Sequence, residues 1–249
     1  GDMAEICRTS LLQAMSTTHK WNDAIADEVE RKEDAVDHYE DVLGTYLVKL
    51  SAKHLSTEDN RTINTLLHTI GDFERVSDHA VNLIKTAEEI RDKSIQFSEE
   101  ALGDLGVLEA AVQDIVNRTV DAFQKGDVYA AGKIEPLEQV VDGLVREVKT
   151  RHIARLQAGV CTIEYGFVLD DLLTNYERIA DHCSNIAVAM IEVAADKFDT
   201  HEYLASVKHG GSVKFEQRYE KYRGRYTFPP ETYAEMQPVS APGNAEEDA

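Results

Sequence analysis

Asp72-Phe73-Glu74-Arg75-Val76-Ser77-Asp78-His79-Ala80-Val81-Asn82-Leu83 decides the architecture, because the chain says it twice. The second copy is Asn175-Tyr176-Glu177-Arg178-Ile179-Ala180-Asp181-His182-Cys183-Ser184-Asn185-Ile186, 103 positions on. At helical pitch, residues i, i+4 and i+8 lie near one face. Each copy therefore lines up a Glu, an Asp and an Asn in one row of oxygen-bearing side chains. Two copies in one chain indicate an internal repeat.

Outward from the first copy, Ile63, Leu66, Leu67, Ile70, Phe73, Ala80, Leu83 and Ile84 keep helical spacing. The spacing predicts one long helix, opened by the cap-like Ser56-Thr57-Glu58-Asp59. Before it, residues 4–18 and 23–52 read as two helices, the second with Asp23 as its N-cap. The pattern then restarts. Residues 105–123 read as a helix, and residues 128–134 as a short helical piece. Pro136 either kinks that piece or opens a new helix running to residue 157. A last long helix spans 162–194.

Only five prolines occur, four of them after this periodic body, and little strand signal is present. The expectation is an all-α protein: two tandem three-helix bundles with a short helical C-terminal tail. The repeats are placed at residues 3–97 and 98–195, and the tail at 196–249. Within the tail, helices are expected at 201–208 and 213–222. Phe215, Tyr219, Tyr222 and Tyr226 form an aromatic stripe that packs back on the bundle. From Pro229 onward the Pro-, Glu- and Ala-rich composition reads as disordered.

The formal net charge is −20. Such a chain repels phosphate backbones, which argues against nucleic acid as a partner, while excess carboxylate suits both solubility and hard cations. Three cysteines without a close-spaced pair fit free thiols in a reducing compartment. No apolar run is long enough to span a bilayer, and no secretory signal opens the chain. The start Gly1-Asp2-Met3 is unusual and suggests a piece of something larger.

A second acidic helix repeats as well. Glu30, Glu33 and Asp37 match Glu135, Glu138 and Asp142, here 105 positions apart. Four repeat-matched Glu-x-x-x-Asp pairs result: Glu33/Asp37, Glu74/Asp78, Glu138/Asp142 and Glu177/Asp181. Glu33/Asp37, Glu74/Asp78 and Glu138/Asp142 border apolar stripes and Glu177/Asp181 lie somewhat further round, positions from which carboxylates of neighbouring helices can converge at a seam. Two facing pairs supply up to about eight oxygens, enough for one or several cations with bridging carboxylates. The competing reading is a solvated or salt-bridged face, with Arg75 and Arg178 locking acids of an adjacent helix. His79 and His182 point away from these rows. Asn82 and Asn185 are either neutral ligands or, preferably, part of a polar seam. Cys183 reads as a small core residue and Trp21 as packing.

These residues resemble the PhoU family. Glu74-Arg75-Val76-Ser77-Asp78 and Glu177-Arg178-Ile179-Ala180-Asp181 resemble its paired E(D)xxxD signature, over roughly residues 3–195. More narrowly, Tyr46-Leu47-Val48-Lys49-Leu50-Ser51, His152-Ile153-Ala154-Arg155-Leu156-Gln157-Ala158-Gly159 and His201-Glu202-Tyr203-Leu204 resemble the soluble C-terminal region of bacterial sodium/phosphate cotransporters. The resemblance implies metal ions, as a multinuclear iron or zinc cluster, bound through the eight carboxylates above. It implies a regulator of phosphate uptake rather than an enzyme, at the cytoplasmic face of the membrane. The partners it implies are a membrane-embedded phosphate transporter domain and a phosphate-signalling protein, with a homo-oligomer as a further possibility. The signature's usual Gly before Asp is Ser77 and Ala180 here, and Pro136 interrupts one acidic helix. A metal-free helical adaptor in phosphate signalling is the alternative. A metallo-enzyme is disfavoured, because no general base stands beside the acidic rows.

Overall fold

The computed structural model describes residues 1–194 and 213–230, which form eight helices and no strand. They are α1 (Asp2–Thr17), α2 (Asp23–Ser51), α3 (Thr57–Asp92), α4 (Glu99–Lys125), α5 (Val128–Ala131), α6 (Ile134–Gln157), α7 (Ile163–Ala194) and α8 (Val213–Arg225). Helices α1, α2 and α3 pack mutually, as do α4, α6 and α7, giving the two tandem bundles. Among the described residues, no helix is long and apolar enough to cross a membrane.

Local chemistry sets the helix ends. Ser56 and Asp59 form a reciprocal capping box at the start of α3. Helix α2 is capped one residue earlier than expected: Asn22 Oδ1 accepts from the Ala24 and Ile25 amides, at 3.0 and 3.3 Å. Asp23 instead accepts from Trp21 Nε1 at 2.9 Å. Helix α4 begins six residues before its expected start, capped by Ser98. Glu99, Glu100, Gly103 and Gly106 hide the apolar period there. Gly126 closes α4 in the left-handed region, at φ 62°. Pro136 is the third residue of α6, neither its first nor a kink, because first-turn amides have no helical acceptor to lose.

The bundles are fused through α3 and α7, the most extensive helix pair. His79 Nδ1 bonds Asn175 Oδ1 and His182 Nδ1 bonds Asp72 Oδ1, both at 2.9 Å. These pairings run the two helices in opposite directions, with the two imidazole rings 5.7 Å apart between them. The apolar core is continuous across both halves, from Leu11 and Val36 through Leu83 and Ile115 to Val141 and Ile179. Cys183 and Trp21 belong to or pack against it, as expected.

Helix α8 lies against α6. Phe215, Tyr222 and Tyr226 are buried and Tyr219 is partly so, so the aromatic stripe does pack back on the bundle. It ends three residues later than expected. The expected helix at 201–208 and nearly all of the expected disordered segment lie outside the described residues.

Candidate metal centre

Helices α2 and α3 carry one acidic quartet, α6 and α7 the other. In the second, oxygens of Glu138, Asp142 and Asp181 lie within 4.8 Å of one another, bridging the α6–α7 seam. Glu177 and Glu135 are close enough to act on the same group. Burial first, then Asp142, Glu135, Asp181 and Glu177, pushes Glu138 up to about 8. Burial, Asp181 and Glu177 raise Asp142 as well, and its Oδ1 is buried without a hydrogen-bond partner. A tight group of carboxyl groups that repel one another, with an unpaired buried oxygen, has the donor chemistry of a cation site.

The first quartet is looser. Burial, Asp78 and Glu40 push Glu74 up to about 7, although Arg75 opposes them. Burial followed by Asp37, Asp78 and Asp34 raises Glu33. Asp37 itself is exposed. Among the described residues, the second half alone gathers three carboxylate oxygens into one compact group.

Three corrections follow from the geometry. Arg75 and Arg178 do not lock an adjacent helix. They bond Asp78 and Asp181 of their own helices, at 3.4 and 3.2 Å, with side chains about three-fifths exposed. The i, i+3 spacing makes that pairing local. Glu135, left outside the expected ligands, joins the second group, and Ser184 Oγ donates to it. Its match to Glu30, which is exposed, was the available signal. Asp72 was missed because its partners, His182 and Asn185, lie 110 and 113 positions away. Asn185 donates to Asp72 Oδ1 at 3.2 Å, which is the polar-seam role.

The PhoU domain model matches residues 1–87 and 107–190, spanning both bundles and both quartets. The chain belongs to the PhoU family. The phosphate-specific transport system accessory protein PhoU homolog 1 of Thermotoga maritima is 23% identical over 202 residues, covering 81% of this chain and 86% of that protein. PhoU of Escherichia coli K12 is 26% identical over 191 residues, 74% of this chain and 76% of that protein. Crystallised PhoU from Pseudomonas aeruginosa shares the fold with a TM-score of 0.71 at 20% identity, covering 78% of this chain and 92% of that one. The Thermotoga and Escherichia relatives are both named as accessory proteins of a phosphate-specific transport system, not as enzymes.

Proposed function

We propose that this PhoU-family chain is a metal-binding regulatory domain acting on a sodium-coupled phosphate transporter from the cytoplasmic face of the membrane. The names of its relatives, accessory proteins of phosphate-specific transport systems, support the phosphate side of this reading. The compact Glu138–Asp142–Asp181 group supports the metal side and is the observation that carries it. Glu138, Asp142, Glu177 and Asp181 would hold metal in the second half, and Glu33, Asp37, Glu74 and Asp78 in the first. Iron or zinc bound there would supply positive charge and open positions able to take a phosphate oxygen. The chain's own residues then act simply: the quartets clamp α2 to α3 and α6 to α7, so their charge state sets how firmly each bundle closes on the shared seam. A transporter domain docked on the bundles would sense that closure.

Elemental analysis of protein purified without chelator tests the metal reading. Several iron or zinc atoms per chain are expected, with those of the second site lost in a still-helical Glu138→Ala/Asp181→Ala variant. Equal metal content in parent and variant would sink the assignment.

A second reading, a metal-free adaptor, is favoured by Arg75 and Arg178 already bonding Asp78 and Asp181. It predicts no thermal stabilisation by added iron or zinc. The metal reading predicts a rise that grows with metal concentration, because a ligand of the folded state stabilises it by mass action.

A further inference from the structure

The three thiols have three different surroundings. Cys7 lies in the core, its Sγ donating to the Phe73 carbonyl at 3.3 Å. Cys183 is buried beside Thr119. Burial pushes both above the usual thiol range, Cys183 to about 12 and Cys7 further, so neither ionises near neutrality. Cys161 is half-exposed in the turn between α6 and α7. It stands just before Thr162, whose hydroxyl accepts from the Tyr165 amide at 3.4 Å in the first turn of α7. Its Sγ is 3.6 Å from His152 Nδ1.

That imidazole is held in place. His152 is 9% exposed and lies against Gly166 of α7 so closely that a Cβ there would stand 2.6 Å from Nε2. Its Nε2 has no hydrogen-bond partner, leaving the thiol as the ring's one polar contact among the described residues. Burial first, then the Arg155 guanidinium one turn on, lowers the His152 pKa, so the ring is neutral near pH 7. Access is open: Ile163 and Phe167, at the edge of the same helix pair, are 71% exposed each. A thiol beside a neutral imidazole, at the positive end of a 32-residue helix, is arranged for nucleophilic attack.

We propose that Cys161 and His152 form a thiol-exchange site that takes low-molecular-weight disulfides. His152 Nδ1 accepts the thiol proton as the Cys161 sulfur attacks one sulfur of the disulfide. A new S–S bond to Cys161 forms, the original S–S bond breaks, and the departing thiolate takes the proton from His152. One thiol and one disulfide enter, and one mixed disulfide and one thiol leave, with no net oxidation. This site is independent of the acidic quartets, and its failure would leave their assignment untouched.

The test is intact-mass spectrometry of the full chain with hydroxyethyl disulfide, an uncharged probe, near pH 7. One adduct per native chain is expected, absent in Cys161→Ser. It should form about tenfold faster than on a short peptide spanning residues 157–165, which keeps the thiol without the folded imidazole. His152→Gln should be about fivefold slower near pH 7 and should match the parent near pH 9, where hydroxide in solution replaces the imidazole as proton acceptor. The charged groups around the ring are Arg155 and the Lys149–Asp170 pair, which meets at 2.9 Å across these two helices. A variant whose turn merely loosened would expose the thiol and react faster at both pH values. That result would overturn the proposal, as would parent and peptide reacting equally, no slowing in His152→Gln, or adducts on native Cys7 or Cys183.

Discussion

Asp104 is fully buried and holds two arginines, Arg155 at 2.7 Å and Arg151 at 3.0 Å. Arg155 is itself 1% exposed, with Nε and Nη2 unpartnered, so the carboxylate is what makes that buried cation tolerable. Asp104→Ala should therefore cost about 3–5 kcal/mol, read from urea unfolding, while Asp104→Leu/Arg155→Met should recover most of it. A single variant that unfolds like the parent would show the pair to be dispensable. His19 makes a contrasting, half-exposed contact, with Nε2 2.6 Å from Glu109. The bond to Glu109 raises the His19 pKa above its ordinary 6.5 despite partial burial. A raised folded-state value means the contribution is fully present below about pH 6.5 and fades as pH climbs through the raised value. His19→Gln should thus be less stable than the parent near pH 5.5 and equal to it near pH 9. A stability gap independent of pH would contradict that assignment. The acidic pairs were legible at this scale because duplication marked them. Asp104, Glu109 and Asp72 were not, since partners 47 to 113 positions away leave no mark at helical spacing.

Helices of this length were legible from period and caps alone. Ser56 and Asp59 announce α3, and the apolar rows of α3 and α7 admit little else. Errors fell where the period thins. Helix α4 opens with acids and glycines, and Pro136 tempted a boundary into a turn that tolerates it. Which helix meets which was harder, because the His79–Asn175 and Asp72–His182 pairs that join α3 to α7 beside the apolar core look like surface in the sequence. Helix α8 was legible by its aromatic stripe, and its attachment is specific. Arg218 donates to the Gly132 carbonyl at 2.6 Å, and Tyr226 donates to Asp114 at 2.8 Å. Tyr222 fills the middle of that contact, under the Arg118 guanidinium. Tyr222→Ala should cost on the order of 3 kcal/mol and expose residues 213–230 to limited proteolysis before the rest of the chain is cut. Equal protection of that segment in parent and variant would show that α8 is held by its polar bonds instead.

At the scale of the molecule, one core runs through both halves. Unfolding should therefore be a single event. Trp21 is the chain's only tryptophan and belongs to the first half, whereas far-UV circular dichroism weighs all helices. The two signals should give the same urea midpoint; an earlier tryptophan transition would mean that the halves come apart separately. The joint that unites them also records a direction. Asp72 and Asn175 occupy matching places in the two copies, and each faces the histidine of the other. A pair of identical half-length chains would have to carry the same residue at both places, two aspartates or two asparagines. Covalent fusion lifts that constraint, and this chain has used the freedom to make its two ends of the joint unlike. The halves are therefore no longer interchangeable. A shuffled gene with the first copy written twice would place a carboxylate against both histidines, and one with the second copy twice would place none.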